Sequence, residues 1–438
     1  MAGRVKSCSR ILTSHSVNAC CLDICFEMLT PPILDQVEFH RSLTGDNGAD
    51  NRKYKYRIGS LDEGHRLVSS YAPHVRVELF SDPKLIDKFL TMCNDSGITQ
   101  PIIRFPPHRP LLAFKKGFFD RKRLHKLRKQ FKSFPWSVTF QLEALLLNGF
   151  LNTGDMEELI PLVSDLFKDH LPGYIADFLR HYHETLKIRK STDNPFACFQ
   201  KRLLNFKYSR PRPARDVCCC HVTFTPTRIH LEGPYATHSN RVIRQYQGYE
   251  DHFIRVDFRD EDMLQYRWDR EVDGTFFLYA RVGDTLKNGF ELAGRHFEFL
   301  AYSNSALREH SVWFVNPFAH ISKGWINGDS IRDSLGNFKG DALLKQPSKL
   351  AARLAQAFTA TDASAMIPRY EWEEVEDLAC PVEPYLFTDG VGTISRDLAQ
   401  RIWKKQCQDK NIMKPTVEPS AVSIVNCLTR LRRRLSSL

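Results

Sequence analysis

The residues best suited to chemistry in this sequence are a dense group of cations between positions 114 and 132. The only acid within that segment is Asp120. Lysine and arginine at this density can bind the phosphates of a nucleic-acid backbone, and such binding weakens as the salt concentration rises. The alternative is a solvated cationic face beside another domain. The candidate binding residues in this segment are Lys115, Lys116, Arg121, Lys122, Arg123, Lys126, Arg128 and Lys129.

Cysteine and histidine offer weaker candidates. The cysteines at 218–220 are adjacent, so on a strand their side chains alternate between opposite faces and cannot converge on one metal ion. Core packing is the favoured interpretation. His181 and His183, beside Glu184, lack the spacing of a zinc-binding helix, and we expect a partly exposed helical surface there. The 12 cysteines form neither a Cys-x-x-Cys pair nor a zinc quartet, which indicates a reducing, intracellular compartment, nucleus or cytoplasm.

Composition and motifs narrow the function classes. The chain carries 62 Lys and Arg against 51 Asp and Glu, a net charge of +11 that favours a polyanionic partner. No apolar run reaches the roughly 18 residues of a transmembrane helix. A phosphate-binding glycine-rich loop and a nucleophile elbow are both missing from the sequence, which argues against kinase and serine-hydrolase functions. The first 22 residues lack acids and faintly resemble a transit peptide, with a disordered N-terminus as the alternative.

Helical periodicity surrounds the basic group. Leu124, Leu127 and Phe131 recur at i, i+3 and i+7, which predicts an amphipathic helix that Pro135 stops. A second helix is predicted at 138–147, with Asn148-Gly149 as its left-handed C-terminal cap. A third is indicated by apolar spacing between residues 175 and 186. We therefore expect a mostly helical basic region at 96–205, after an N-terminal region (1–95) to which no structure is assigned.

Extended β-branched and aromatic runs follow the Arg-Pro linker at 210–213, and they predict a β-rich region at 206–380. A short helix is expected at 349–358. The predicted strands are 221–225, 253–258, 276–282, 297–302 and 312–315.

A series of sequence blocks occurs in one order between residues 215 and 421. The blocks are VTFTPTRIHLEGP (222–234), NRVIRQY (240–246), FIRVDFRDED (253–262), GRHFEFLAYSNSALREHSVWFV (294–315) and TDGVGTIS (388–395). Their order resembles the eukaryotic cellular RNA-dependent RNA polymerases of the RNA-silencing type, of the fungal-like kind, and this chain resembles an N-terminal piece of such an enzyme. Several blocks in register are much more specific than any short motif.

The resemblance implies an α+β fold, with a β-rich scaffold below the active-site cleft and then two double-psi β-barrels. TDGVGTIS would open the first barrel, which we expect to start within 381–421, before a divergent basic tail at 422–438. Asp389-Gly390 and Gly392 permit a tight turn there, and Ser395 can cap a following helix. Leu398, Ile402 and Trp403 would form that helix's apolar face.

The resemblance also implies template-directed synthesis of complementary RNA for small-RNA silencing. The partners would be a single-stranded RNA template, nucleoside triphosphates and proteins of the silencing pathway. In the family, three aspartates of an Asp-x-Asp-Gly-Asp motif hold Mg²⁺. That motif does not occur in these 438 residues, so we expect no catalytic or metal-binding residue in this chain. The alternative function is a catalytically inert RNA-binding or interaction module.

Three smaller groups of charged residues each allow two interpretations. The acids at 260–262 are the nearest substitute for the missing aspartates, but they lie in a matched block and are interpreted as scaffold. Arg308, with His310, could line the path of the template or form a polar pair at a helix start. The arginines between 430 and 434 could hold RNA or be incidental.

Overall fold

The structure of the protein is a computed structural model. The residues that it describes are 8–16, 21–28, 33–41, 51–70, 74–80, 85–95, 102–105, 121–188, 194–208, 216–266, 270–303, 308, 310–336, 338, 344–361, 365–373 and 393–410. Helices and sheets are both present, in keeping with the predicted α+β class. No helix in these ranges is long and apolar enough to cross a membrane.

The N-terminal part of the chain, which had no predicted structure, contains two small sheets. One is four-stranded in the order β5-β2-β1-β6, and the other pairs β3 with β4. The strands are β1 (Cys8–Ser16), β2 (Cys21–Met28), β3 (Asp35–Arg41), β4 (Asn51–Arg57), β5 (His74–Phe80) and β6 (Ile102–Phe105), and the helices are α1 (Glu63–Val68) and α2 (Leu85–Asp95). β6 runs parallel to β1, so residues 102–105 belong to this sheet.

The basic segment opens a helical unit that confirms the predicted helices. The helices are α3 (Arg121–Phe131), α4 (Trp136–Leu147), α5 (Thr153–Leu166), α6 (Pro172–Ile188) and α7 (Pro195–Leu204). α4 is buried around its whole circumference, and Gly149 adopts the left-handed conformation (φ 76°) expected of its cap. α5 begins with a capping box between Asn152 and Asp155.

A six-stranded sheet, in the order β11-β12-β13-β9-β7-β8, forms the centre of the β-rich region. All neighbours are antiparallel except β7 and β9, which are parallel. One face packs against the helical unit in a shared core that joins Val222, Val256 and Phe314 to Leu127 and Phe178. The strands are β7 (Asp216–Phe224), β8 (Ile229–His238), β9 (Phe253–Phe258), β11 (Phe290–Leu292), β12 (Arg295–Ala301) and β13 (Ser311–Val315).

The predicted strand at 276–282 is wrong. Residues Phe277–Gly283 form a π-helix that continues into α9 (Asp284–Asn288); the short helix α8 (Arg241–Arg244) precedes it in the chain. Phe277 and Arg281, four residues apart, both turn toward the sheet, whereas Leu278 and Tyr279 are exposed. The aromatic content of the run favours a strand, and these tertiary contacts override that preference.

Short elements complete the described chain. They are β10 (Val272–Asp273), which pairs with β4, β14 (Phe318–His320), β15 (Gly324–Ile326), α10 (Gly328–Ser334), α11 (Pro347–Ala357) and α12 (Arg396–Lys410). α11 confirms the helix predicted at 349–358. At the start of α12 the Ser395 hydroxyl accepts the amide of Leu398 at 3.3 Å, and Leu398 and Ile402 are buried as expected. The turn at Asp389–Gly392 and the tail at 422–438 lie outside the described residues.

Candidate nucleic-acid interface

Helix α3 is held to the helical unit by its predicted apolar stripe. Leu124, Leu127 and Phe131 are buried in the main core, so the basic residues between them face outward or sideways. Lys115 and Lys116 lie outside the described residues, and Arg121 is the first residue of the helix. The basic group of the sequence is therefore presented, from Lys122 to Lys132, on one short helix and the turn that follows it.

Arg123 is engaged by a neighbouring helix. Its Nε and Nη2 atoms donate to the two carboxylate oxygens of Glu157 on α5, at 2.9 and 2.8 Å. This bidentate geometry is the strongest form of an arginine–carboxylate contact. Arg123 therefore stabilises the packing of α3 on α5 and is poorly placed to bind a phosphate.

The C-terminal end of α3 faces a buried acid. Glu143 of α4 is 9% exposed, and its Oε2 atom accepts the amide of Ala293 at 3.1 Å, in the turn between β11 and β12. Burial raises the pKa of Glu143, while Arg128, the Ala293 amide and Lys132 oppose that rise. Arg128 and Lys132 thus supply the positive potential that this buried carboxyl requires, and they link α3 to the β11–β12 turn.

Three lysines of α3 remain turned to solvent. Lys122, Lys126 and Lys129 are exposed, and within the described part of the chain none of them forms an ion pair. They are spaced at i, i+4 and i+7, so they lie along one face over roughly 10 Å of helix axis. We call Lys122, Lys126 and Lys129 the lysine row. Cations that no carboxylate neutralises can contact successive phosphates of a nucleic acid.

Arg308 lies at the opposite end of the six-stranded sheet from α3. It is exposed just before β13, and its carbonyl oxygen accepts Gln265 Nε2 at 2.8 Å. The β11–β12 turn that touches α3 lies beyond the other end of β13, because Glu298 of β12 pairs with Val315. The structure therefore does not bring Arg308 and the lysine row together.

The acids at 260–262 hold three different parts of the fold. Asp260 accepts Arg57 Nη1 at 2.6 Å, and Asp262 accepts the amide of Leu264 at 2.9 Å. Glu261 is buried and accepts the Thr225 hydroxyl at 2.9 Å and the Thr227 amide at 2.6 Å. Among the described residues no group of three or more His, Cys, Asp or Glu side chains is placed to hold a metal ion.

The sequence patterns did not single out two arginines, Arg228 and Arg281, that lie beside Glu261 in the structure. Arg228 is 4% exposed, and burial lowers its pKa while Glu261 opposes that effect. Arg281 donates to the carbonyl oxygens of Thr225 and Arg228 at 3.2 and 3.0 Å, and burial lowers its pKa to about 10. Arg281 is a charged residue inside an otherwise apolar, aromatic run, which could have indicated a buried cation. The incorrect strand prediction at 276–282 did not take it into account.

The cysteine and histidine candidates are structural. Cys219 and Cys220 lie in different cores on opposite faces of the sheet, and burial raises the pKa of Cys219 to about 12, so the core interpretation is confirmed. The expected partly exposed surface is wrong for His183, which is 2% exposed, 3.0 Å from Asn148 Nδ2 and in edge contact with Phe150. Burial lowers the pKa of His183 to about 4.

The region that contains the six-stranded sheet is similar to known proteins. A family model described as RNA dependent RNA polymerase matches residues 224–424, which include most of the six-stranded sheet. The chain is 29% identical over 317 residues to the probable RNA-dependent RNA polymerase 2 of Oryza sativa subsp. japonica. Residues 224–424 belong to the eukaryotic cellular RNA-dependent RNA polymerase family. The acids at 260–262 and Arg308 lie within the region that matches this polymerase family.

Other relatives match shorter spans of this chain. RNA-dependent RNA polymerase 1 of Arabidopsis thaliana is 33% identical over 191 residues, covering 42% of this chain and 16% of the relative. RNA-dependent RNA polymerase 1 of Schizosaccharomyces pombe is 32% identical over 274 residues, covering 62% and 21%. The rice match covers 67% of this chain and 26% of the relative, so this chain spans about a quarter or less of these polymerases.

One solved structure is also similar. The RNA dependent RNA polymerase QDE-1 from Thielavia terrestris aligns with a TM-score of 0.34 and 16% identity, covering 51% of this chain and 24% of that one.

Proposed function

We propose that this chain is part of an RNA-directed RNA polymerase of the RNA-silencing type, and that the lysine row of α3 contacts the backbone of single-stranded RNA. Family membership supports the enzymatic part. The observation that carries the RNA contact is that Lys122, Lys126 and Lys129 are exposed and unpaired among the described residues, whereas Arg123 is bound to Glu157. The row lies outside the residues that the family model matches.

The proposed reaction joins nucleoside triphosphates on an RNA template, with Mg²⁺ as the metal of the family. The described residues do not fit a magnesium site, because Asp260, Glu261 and Asp262 each bind a different structural partner. The proposed role of this chain is therefore to bind RNA and to form the scaffold, and no chemical step is assigned to these acids. We also propose that a first double-psi β-barrel starts within 381–421 and that the domains divide near residues 95, 205 and 380. The proposed location is the nucleus or cytoplasm, alongside proteins of the silencing pathway.

The test measures how RNA affinity depends on salt. Each phosphate contact on single-stranded RNA contributes about −0.7 to the slope of log K against log salt, so K122A/K126A/K129A should reduce the slope by about 2. Fluorescence anisotropy of the full chain with a 20-nucleotide RNA would measure it. The control is K345A/K349A/R353A, which removes the same charge from an exposed surface beside and on α11 and should leave the slope nearly unchanged.

A charge-preserving variant completes the design. K122R/K126R/K129R keeps the three charges on the same helix face and should keep the slope of the original chain. Equal slopes for K122A/K126A/K129A and the control K345A/K349A/R353A would contradict an RNA contact at the lysine row. Binding that is lost equally in both would reflect the net charge of +11 and not a site.

A further inference from the structure

Two side chains of helix α4 close the edge of the six-stranded sheet. β8 forms that edge, and no described strand lies on its outer side. Asn148, at the end of α4, donates from Nδ2 to the carbonyl oxygen of Leu231 at 2.7 Å and accepts the Leu231 amide on Oδ1 at 2.9 Å. Gln141, two turns earlier, donates to the carbonyl oxygen of Gly233 at 2.8 Å. Without this cover, the edge would be open to a strand of another chain.

The backbone of Leu231 fixes the orientation of the Asn148 side chain. The Leu231 amide needs an acceptor and its carbonyl oxygen needs a donor, so the Asn148 amide group cannot be flipped. The second hydrogen of Nδ2 is available to His183, whose Nε2 lies 3.0 Å away. Because Nδ2 is a donor, His183 Nε2 must be the acceptor. The ring of His183 is therefore neutral, with its proton on Nδ1.

His183 has little compensation for a positive charge. It is 2% exposed. Lys187, on the same helix, opposes its protonation, and Glu184 favours it. Both acids nearby have other partners, because Glu232 of β8 accepts Lys187 Nζ at 3.2 Å and Glu184 accepts the Tyr235 hydroxyl at 3.2 Å. The end of α4 presents only a neutral amide to the ring.

We propose that Asn148, Leu231 and His183 form an acid-sensitive joint, in which protonation of His183 releases Asn148 from Leu231 and uncovers the edge of β8. A proton on Nε2 would place two N–H donors against each other and would leave a buried charge to which no described carboxylate is hydrogen-bonded. Asn148 cannot turn to accept that proton without leaving the backbone of Leu231. The joint does not depend on the lysine row or on RNA binding.

Hydrogen exchange of the full chain tests where the effect is located. Burial lowers the pKa of His183 from 6.5 to about 4, so opening of the joint takes up a proton below pH 6.5. The protection factor of the Leu231 amide should fall about 20-fold between pH 7 and pH 5, and the amides of β12 should change less than about twofold. H183Q keeps a neutral acceptor beside Asn148 and should limit the fall at Leu231 to less than about threefold.

A carboxylate in place of the Asn148 amide should reverse the response to pH. In N148D one oxygen can still accept the Leu231 amide, and the other lies beside His183 Nε2 and binds its proton. The pKa of His183, measured by NMR titration, should rise above 6.5, and protection of the Leu231 amide should increase between pH 8 and pH 5. The control is N327D, which adds the same charge at the N-cap of α10, where aspartate also caps well. N327D should leave both quantities unchanged.

Several results would overturn the joint. Equal losses of protection at Leu231 and throughout β12 would mean that acid unfolds the whole chain and opens no local contact. A fall at Leu231 that persists in H183Q would assign the proton to another group. A His183 pKa that stays near 4 in N148D would show that Asn148 does not control the ring. The comparison of H183Q with the original chain decides the proposal even if N148D does not fold.

Discussion

Basic residues in two regions of this chain differ in their surroundings. On α3, Lys122, Lys126 and Lys129 face solvent, with no ion pair among the described residues. At the end of the six-stranded sheet, Arg228 lies beside buried Glu261, and Arg57 donates to both Asp35 and Asp260. The first region keeps its charge available for a polyanion, whereas the second uses its charge inside the protein.

The difference shows that the density of basic residues is a weak guide to binding. A buried cation must be compensated by acids and carbonyls within the fold, and removing its partner is costly. Replacing an exposed lysine changes the stability of the fold very little, but it removes the contribution of that lysine to binding. The two regions therefore predict opposite effects on stability and on RNA affinity.

The largest expected effect is that of Glu261→Ala. This change removes the acceptor of Thr225 and Thr227 and leaves Arg228 and Arg281 without their shared counter-charge. We expect the free energy of unfolding to fall by about 3–5 kcal/mol, as for other broken buried ion pairs. Urea denaturation would measure it. Asp262→Ala, at an exposed neighbour, should cost less than about 1 kcal/mol, and similar losses for the two variants would place Arg228 and Arg281 outside a coupled network.

A second large effect concerns His183 and acid pH. The pKa of His183 is lowered in the fold from 6.5 to about 4, so the unfolded chain binds a proton that the folded chain excludes. Stability should therefore fall as the pH drops from 6.5 toward 4, with about 3 kcal/mol lost through this residue. His183→Gln should remove that share of the pH dependence in unfolding curves recorded between pH 7 and pH 4.

His230, in the sheet, is a second histidine of the same kind. Its pKa is also lowered to about 4, by burial and by Arg228, so His230→Gln should remove a second share. If neither variant flattens the dependence of stability on pH, the two histidines are not the groups that exclude protons from the fold.

A smaller effect is expected at Arg123. Arg123→Ala should cost about 1–2 kcal/mol, because it breaks two charge-assisted hydrogen bonds to Glu157 at a half-buried helix contact. A double-mutant cycle with Glu157→Ala would isolate the pair. The salt dependence of RNA binding should be unchanged in Arg123→Ala, and a slope reduced by about 0.7 would move Arg123 into the binding surface.

The smallest effect on stability belongs to the lysine row. K122A/K126A/K129A should change the free energy of unfolding by less than about 0.5 kcal/mol per residue, since the three side chains are exposed and alanine is a good helix former. Thermal unfolding would show this. A large loss of stability would mean that these lysines pair with acids, as Arg123 does, and the contrast between the two regions would disappear.

Local patterns predicted much of the helical unit. The spacing of Leu124, Leu127 and Phe131 predicted the buried side of α3, and Asn148-Gly149 predicted the end of α4. Such features depend on neighbours within one or two turns, so they can be read from a short window. The strand prediction at 276–282 failed because Arg281 is fixed by the turn between β7 and β8, and Phe277 by Tyr266, and a short sequence window contains neither.

The sequence by itself indicated the polymerase family, the amphipathic basic helix and the strands of the six-stranded sheet other than β11. These follow from motif order and from the periods of helix and strand. Only the tertiary structure decided which cations are neutralised. Glu143 and Glu157 lie on different helices from Arg128 and Arg123, and they meet these arginines only after the helices pack. It also decided that Glu261 is buried between two arginines and that Tyr279 is exposed. Electrostatic pairing and exposure depend on distances through space, and the fold alone sets those distances.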